Sequence, residues 1–320
     1  MGLTALAAVG LAAVLDAAFA EPPSRAHPIP LFGRVVGAVD REWTRPQVVG
    51  VAVAAVLPLA FAAVAWAVVA GSVGTAVRTG SVAAGYGSTI APVVTTAVAG
   101  LALFSLTSLR MLVAVAGEVI EAADRDADAA RESAIALVGR DTSSLSAAGI
   151  RSAAVESAAE NLADGLVAPL LAFALGAQVS VAVGVAAAAW VKGVNTLDSM
   201  LGYPDKPVGT ASARLDDAVM WVPARVSAVL LAVAAGSPRS LADARRWARV
   251  PASPNSGWPM ATAAAALGVR LEKPDSYTLN PDAALPSLAE ARRGVRAVAV
   301  AGALAFLLAG AAAAMAGVGS

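Results

Sequence analysis

The sequence predicts an all-α protein: a polytopic integral membrane helical bundle with a re-entrant helical pair and an extramembrane amphipathic helical segment. Three observations carry this. Of 320 residues, 58% are hydrophobic and only 14% charged, with mean hydropathy +0.70, whereas soluble domains are about 25% charged. The apolar residues fall in long charge-free runs such as Val48–Ala70, which as helices rising about 1.5 Å per residue can span a bilayer. One such run, Leu166–Val191, breaks at Gly176-Ala177-Gln178 and leads straight into a charged stretch, Lys192–Arg225.

In chain order, Gly2–Ala20 is the first span. No Lys or Arg precedes it, so it reads as a retained helix rather than a signal peptide. Its Asp16 is expected at the membrane interface. Glu21–Trp43 is a proline-broken basic loop; Arg25, Arg34, Arg41 and Arg45 place it on the cytoplasmic side. Val48–Ala70 is the second span, kinked at Pro58; Gly71–Thr89 is a short exterior loop and Ile90–Leu109 the third span. Residues 110–160 form an extramembrane helical insertion within a single membrane-embedded domain covering 1–320. Thr142 or Ser143 is expected to cap the helix that follows. Glu156, Glu160 and Asp164 share a helical face, so a cation from elsewhere should offset their repulsion.

Two structures suit Leu166–Val191. A single crossing would separate the Asp164 and Lys192 regions by roughly 30 Å of hydrocarbon. A hairpin turning near Gly176–Gln178 returns the chain to the side it left, with Gln178 and Ser180 partnering the turn's backbone. The hairpin is the expectation. Val226–Pro238 is too short to span and reads as a buried or re-entrant helix. Arg239, Arg245, Arg246 and Arg249 form a patch suited to a phospholipid surface. A proline-punctuated turn, an Ala-rich helix and a loop lead to the last span, Ala297–Ala316, whose flank of Arg292, Arg293 and Arg296 puts its amino end in the cytoplasm.

Several function classes drop out. A formal net charge of zero, without a basic stripe, gives no case for nucleic acid. The chain has no cysteine and one histidine, His27, which excludes disulfides, thiolate chemistry and His-rich metal sites. No phosphate-binding P-loop, dinucleotide fingerprint or serine-hydrolase elbow is present. Chemistry must therefore rest on carboxylates, amides, Lys, Arg and His27. The stretch Lys192–Arg225 gathers such groups beside an apolar run: Asn195, Asp198, Asp216 and Asp217 with Lys192, Arg214 and Arg225. It is either a solvated loop or the wall of a site for a charged substrate.

That stretch, KGVNTLDSMLGY followed by SARLDDAVMWVPAR, resembles the signature of the CobD/CbiB family of cobalamin biosynthesis. Four further segments resemble the family in its order: HPIPLFGR (27–34), GRDTSSL (139–145), VESAAENLADGLVAPL (155–170) and SPNSGWPMA (253–261). Two places depart from it. Glu21-Pro22 stands where the family often has Gly-Asp-Pro, and EKPDSYTLN lacks the Gly-rich sequence usual there. The resemblance implies an adenosylcobinamide-phosphate synthase type of carbon–nitrogen ligase, which joins aminopropanol or its phosphate to adenosylcobyric acid. It implies ATP, with Mg²⁺ held by acids, here Asp198, Asp216 and Asp217. Lys192, Asn195 and Arg214 join them as catalytic candidates. His27, Arg34, Arg140, Asp141, Glu160, Asn161, Asp164, Asn255 and Trp258 are the substrate-binding candidates, Trp258 by stacking on the corrin. The implied setting is the cell membrane with a cytoplasmic active face, in company with other membrane enzymes of cobamide assembly. The alternative is a non-enzymatic membrane transporter or scaffold for cobamide assembly, since transporters place ionisable groups in broken spans.

Overall fold

The structure, a computed structural model, describes residues 1–25, 27–82, 87–126, 128–132 and 143–317. It is helical almost throughout, as expected. By length and composition, five helical stretches are apolar enough to cross a membrane: Gly2–Phe19, Pro46–Ser72, Ile90–Arg125, Ala147–Gly176 and Leu288–Ala314. The chain divides into two compact units. The first comprises Met1–Ser108, Ala168–Val219 and Phe306–Ser320; the second comprises Leu109–Val167 and Met220–Ala305.

In the first unit, α1 (Gly2–Phe19) packs closely on α4 (Gly87–Leu106): a Cβ at Gly100 would sit 2.7 Å from Leu11 Cδ2. Asp16, near the carboxyl end of α1, is buried, 3% exposed. Between α1 and the second span, where a proline-broken loop was expected, lies a helix, α2 (Pro28–Gly37). Pro28 occupies its first turn, where no amide hydrogen bond is needed, and His27 caps it by accepting from the Ile29 amide at 3.3 Å. The third helix, α3 (Pro46–Val82), runs on through Pro58 and past Ala70, so no loop begins at Gly71. Ser72 and Thr75 look like helix breakers, but their hydroxyls donate back to the carbonyls of Val69 (2.7 Å) and Gly71 (2.9 Å).

The expected hairpin is present. Helix α7 (Ala168–Gly176) ends in a turn at 177–180, and α8 (Val181–Leu201) packs back against it. Its arms are longer than two short helices, because the chain is already helical from Ala147. Two glycines set the approach: a Cβ at Gly184 would lie 2.8 Å from the Phe173 carbonyl oxygen, and one at Gly176 would lie 2.7 Å from that of Val183. The turn's polar backbone finds partners as anticipated. Gln178 Nε2 donates to the carbonyls of Ala174 (2.9 Å) and Ala312 (3.0 Å), and Ser180 Oγ accepts from the Val183 amide. Gly193 lets α8 meet α3 at Pro58, whose Cα would be 3.2 Å from an added Cβ. On another side α8 joins α2 in an apolar cluster of Phe32, Val36, Leu197, Leu201 and Val208. A 3₁₀ turn (Pro207–Gly209) then leads into α9 (Thr210–Val219). At the chain's ends, Gly2 lies against the Ala314 and Ala316 carbonyls, and Gly310 faces Leu6.

The second unit contains α5 (Arg110–Arg125), α6 (Ala147–Leu162), a π-helical turn (Ala163–Val167), α10 (Trp221–Ala234), α11 (Ser240–Ala244) and α12 (Gly257–Leu267). As expected, α5 is amphipathic, burying Leu112, Ala116, Val119, Ile120 and Ala123. Helix α6 is not. Residues Ser152 to Ala159 are all buried, so this helix is part of the core of its unit. Its cap is Ser146, which accepts from the Gly149 amide at 3.1 Å, rather than Ser143; Thr142 lies outside the described residues. A two-stranded antiparallel hairpin, β1 (Leu271–Lys273) with β2 (Tyr277–Leu279), stands where a plain loop was expected. The last helix, α13 (Leu288–Ala314), starts well before Ala297. Ser287 and Glu290 form a reciprocal capping box there: the Ser287 amide donates to Glu290 Oε2 at 2.8 Å and the Glu290 amide to Ser287 Oγ at 3.3 Å.

Candidate active site

In the first unit the candidates gather along the polar end of α8. At about 100° per residue, Lys192, Asn195 and Asp198 fall within roughly a third of the helix circumference. Helix α9 adds Asp217. Burial and the neighbouring Asp217 charge together push the Asp198 carboxyl above its usual range. Asp216, one residue away, is turned about 100° from Asp217 and is buried, 9% exposed. Among the described residues no group of three or more His, Cys, Asp or Glu is placed to hold a metal ion. The expected trio of Asp198, Asp216 and Asp217 is therefore a pair, Asp198 with Asp217, because adjacent helical residues cannot face one point. Glycine shapes the space: a Cβ at Gly202 would overlap Asp198 Oδ1.

Around Lys192 the amino-terminal segment closes in. His27 Nε2 lies 3.9 Å from Glu21 Oε2, and Glu21 Oε1 accepts from Ser108 Oγ at 3.0 Å. Burial holds the His27 pKa below its ordinary value; Glu21 opposes that and the Lys192 charge adds to it. His27 thus serves as both helix cap and neighbour of Lys192. Glu21 belongs to a stretch that departs from the family pattern. Arg34 and Arg214 are exposed, and Asn195 is 7% exposed. A larger cavity of about 510 Å³ at the end of α8 was not foreseen. Its lining includes Trp43, with the Arg41 guanidinium 4.1 Å from the ring centre, and Lys206, paired with Asp40 at 2.6 Å.

In the second unit, Glu160 lines a polar pocket of about 240 Å³ with Glu156, Ser157, Ser253, Ser256, Lys273, Ser276 and Tyr277. Glu156 is 6% exposed and accepts from the Tyr277 hydroxyl at 2.9 Å. Tyr277 and Lys273 come from the β-hairpin, the segment that departs from the family pattern. Only its distant pairing with α6 reveals them. Asn161 Nδ2 donates to the Ser157 carbonyl (3.0 Å) and hydroxyl (3.2 Å), and Asp164 sits half-buried in the π turn. Such turns often mark functional positions.

The SPNSGW segment is organised by Arg225. Its guanidinium donates to Asn255 Oδ1 at 2.6 Å and to the carbonyls of Pro254 (3.3 Å) and Trp221 (2.9 Å). It also lies 4.5 Å and 5.2 Å from the ring centres of Trp221 and Trp258. Trp258 is partly buried, packing on Ala244, Ala248 and Ala261 and contacting Arg225. Arg140 and Asp141 lie outside the described residues.

The sequence pattern of the CobD/Cbib protein family matches residues 9–310. The probable cobalamin biosynthesis protein CobD of Methanothrix thermoacetophila is 35% identical over 307 residues, 93% of each chain. The cobalamin biosynthesis protein CobD of Geobacter metallireducens is 36% identical over 293 residues, 87% of this chain and 85% of that one. That of Klebsiella pneumoniae is 45% identical over 149 residues, 44% of each. No solved structure matches the chain. With similarity running from the first helix to the last, through each charged segment that forms the candidate sites, this protein belongs to the CobD/CbiB family.

Proposed function

We propose that this protein is a membrane-bound ligase of cobalamin biosynthesis, forming the amide between a propionate side-chain carboxyl of adenosylcobyric acid and aminopropanol or its phosphate. Family membership and the names of its relatives support the pathway and the role of a biosynthetic enzyme. The observation that carries the reaction is the approach of Asp217 on α9 to Asp198, at the polar end of the helix that also bears Lys192. Two carboxyl groups drawn together at a half-buried place favour a cation.

Mg²⁺ is commonly held by one or two carboxylates plus substrate phosphates rather than by an all-protein cage. The pair fits a metal arriving on ATP, which would supply neutralisation of phosphate charge. Lys192 and Arg214 would supply the cations for the phosphate oxygens. The chemistry balances as two steps. The γ-phosphoryl group passes to the substrate carboxylate and ADP leaves; the amine nitrogen then attacks the acyl carbon, phosphate departs and the nitrogen gives up a proton. The active face is cytoplasmic, beside the loop of His27 and Arg34, and the corrinoid meets the protein at the bilayer surface.

Purified protein in detergent, given adenosylcobyric acid, either amine and ATP–Mg²⁺, should yield adenosylcobinamide or its phosphate. No product with either donor, together with corrinoid uptake by proteoliposomes, would replace this reading by a transporter. Because the chain has no cysteine, Ser24→Cys can report the side. Labelling by an impermeant reagent only from outside the cell would reverse the orientation.

A further inference from the structure

We infer that the polar pocket between α6 and the β-hairpin is the binding site of the amine donor, and that Lys273 discriminates the phosphorylated donor from the free amino alcohol. The inference rests on the reaction proposed above and adds to it where the small substrate is held. The pocket lies wholly within the second unit. Its volume of about 240 Å³ is below the roughly 300–1,000 Å³ of sites for drug-sized ligands. A corrin or a nucleotide is too large for it, and a molecule of a few heavy atoms is not.

The lining has both chemistries that such a molecule needs. Glu156 and Glu160, one turn apart on α6, present carboxyl groups suited to an ammonium. Glu156 is fixed by the Tyr277 hydroxyl, which also lies 3.6 Å from Met260 Sδ. Glu160 is half exposed, so an amine resting against it stays reachable from the mouth. Lys273, exposed at the rim, and the hydroxyls of Ser253, Ser256 and Ser276 provide a cation and donors for a phosphate or an alcohol. Acids alone would describe a cation site. Acids, a lysine and three serines around one small cavity describe a zwitterion.

Equilibrium binding of aminopropanol phosphate and of aminopropanol to the purified full-length protein tests this without requiring turnover. Glu160→Gln should weaken both ligands at least tenfold. Lys273→Ala should weaken the phosphate at least tenfold and leave aminopropanol unchanged. Both substitutions are mild for the fold, one isosteric and one at an exposed hairpin position, and matching melting curves will verify that. Wild-type protein that binds neither ligand, or variants that bind both as the wild type does, would overturn the inference. Equal weakening of both ligands by Lys273→Ala would overturn the discrimination by Lys273. Normal binding without any amide product would instead sink the proposed reaction and leave the pocket standing.

Discussion

Replacing Gly184 with alanine tests the hairpin that carries Lys192, Asn195 and Asp198. The new Cβ would stand 2.8 Å from the Phe173 carbonyl oxygen and 3.1 Å from the Ala177 amide nitrogen, backbone atoms that no rotamer change can move. Widening 2.8 Å to an ordinary 3.4 Å parts the two helices by about 0.6 Å, a gap that forfeits roughly a quarter or more of the dispersion well for each atom pair along the seam. Overpacking of this kind costs about 1–3 kcal/mol. Alanine's better helix propensity returns up to about 1 kcal/mol. With the full propensity gain the net loss is about 0–2 kcal/mol, up to about 30-fold in the folded-to-unfolded ratio. Unfolding by added SDS in mixed micelles, followed by fluorescence of the six tryptophans, measures it. Gly10→Ala is the control, because nothing lies within 4 Å of its Cβ, and it should be neutral or slightly stabilising. Gly176→Ala strains the same crossing, so the double variant should lose less than the sum of the two. If Gly184→Ala unfolds at the same SDS fraction as Gly10→Ala, the close packing of the hairpin is wrong.

Three further outcomes follow from the sites. Asp198→Asn and Asp217→Asn should each abolish cobinamide formation while the protein still accumulates in the membrane; near-normal turnover in both would make the pair a solvated feature. His27, the one histidine, gives a single imidazole NMR titration below its ordinary 6.5; Lys192→Met should move it up and Glu21→Gln down, following the causes of its shift. Because its folded pKa is depressed, stability should fall as pH drops from 6.5 through that value, where the unfolded chain takes the proton first; a titration unmoved by either substitution would refute the contact. Arg225→Lys keeps the charge but loses the fork to Asn255 and Pro254, costing about 1.5–3 kcal/mol, read as faster proteolysis of the 251–256 loop and a changed Trp258 emission.

The sequence displays what is local. Gly176-Ala177-Gln178 announces a turn because a break in an apolar run is visible within a few residues. Ser287-Leu288-Ala289-Glu290 spells a capping box, although the basic flank drew attention to Ala297 instead. What the sequence hides is long-range. The Tyr277–Glu156 bond joins residues 121 apart, and nothing in either neighbourhood names the other. The burial of α6 is hidden too: serines and acids interrupt its alanines, yet small residues bury readily against neighbouring helices. The acid trio failed for a simpler reason. Spelling places Asp216 and Asp217 together, and helical geometry turns them apart.

The meeting of Gly2 with Ala314 has a consequence for counting. Two points of the chain in van der Waals contact occupy the same compartment, so the number of bilayer crossings between them is even. Five long apolar stretches therefore cannot all be full crossings unless another joins them. Helices α1, α3, α4 and α13 supply four. The hairpin of α7 and α8 then adds zero if it turns back within the bilayer, or two if both arms cross, and parity holds in either case. A reporter fused before Gly2 and one fused after Ala316 should sense the same side of the membrane.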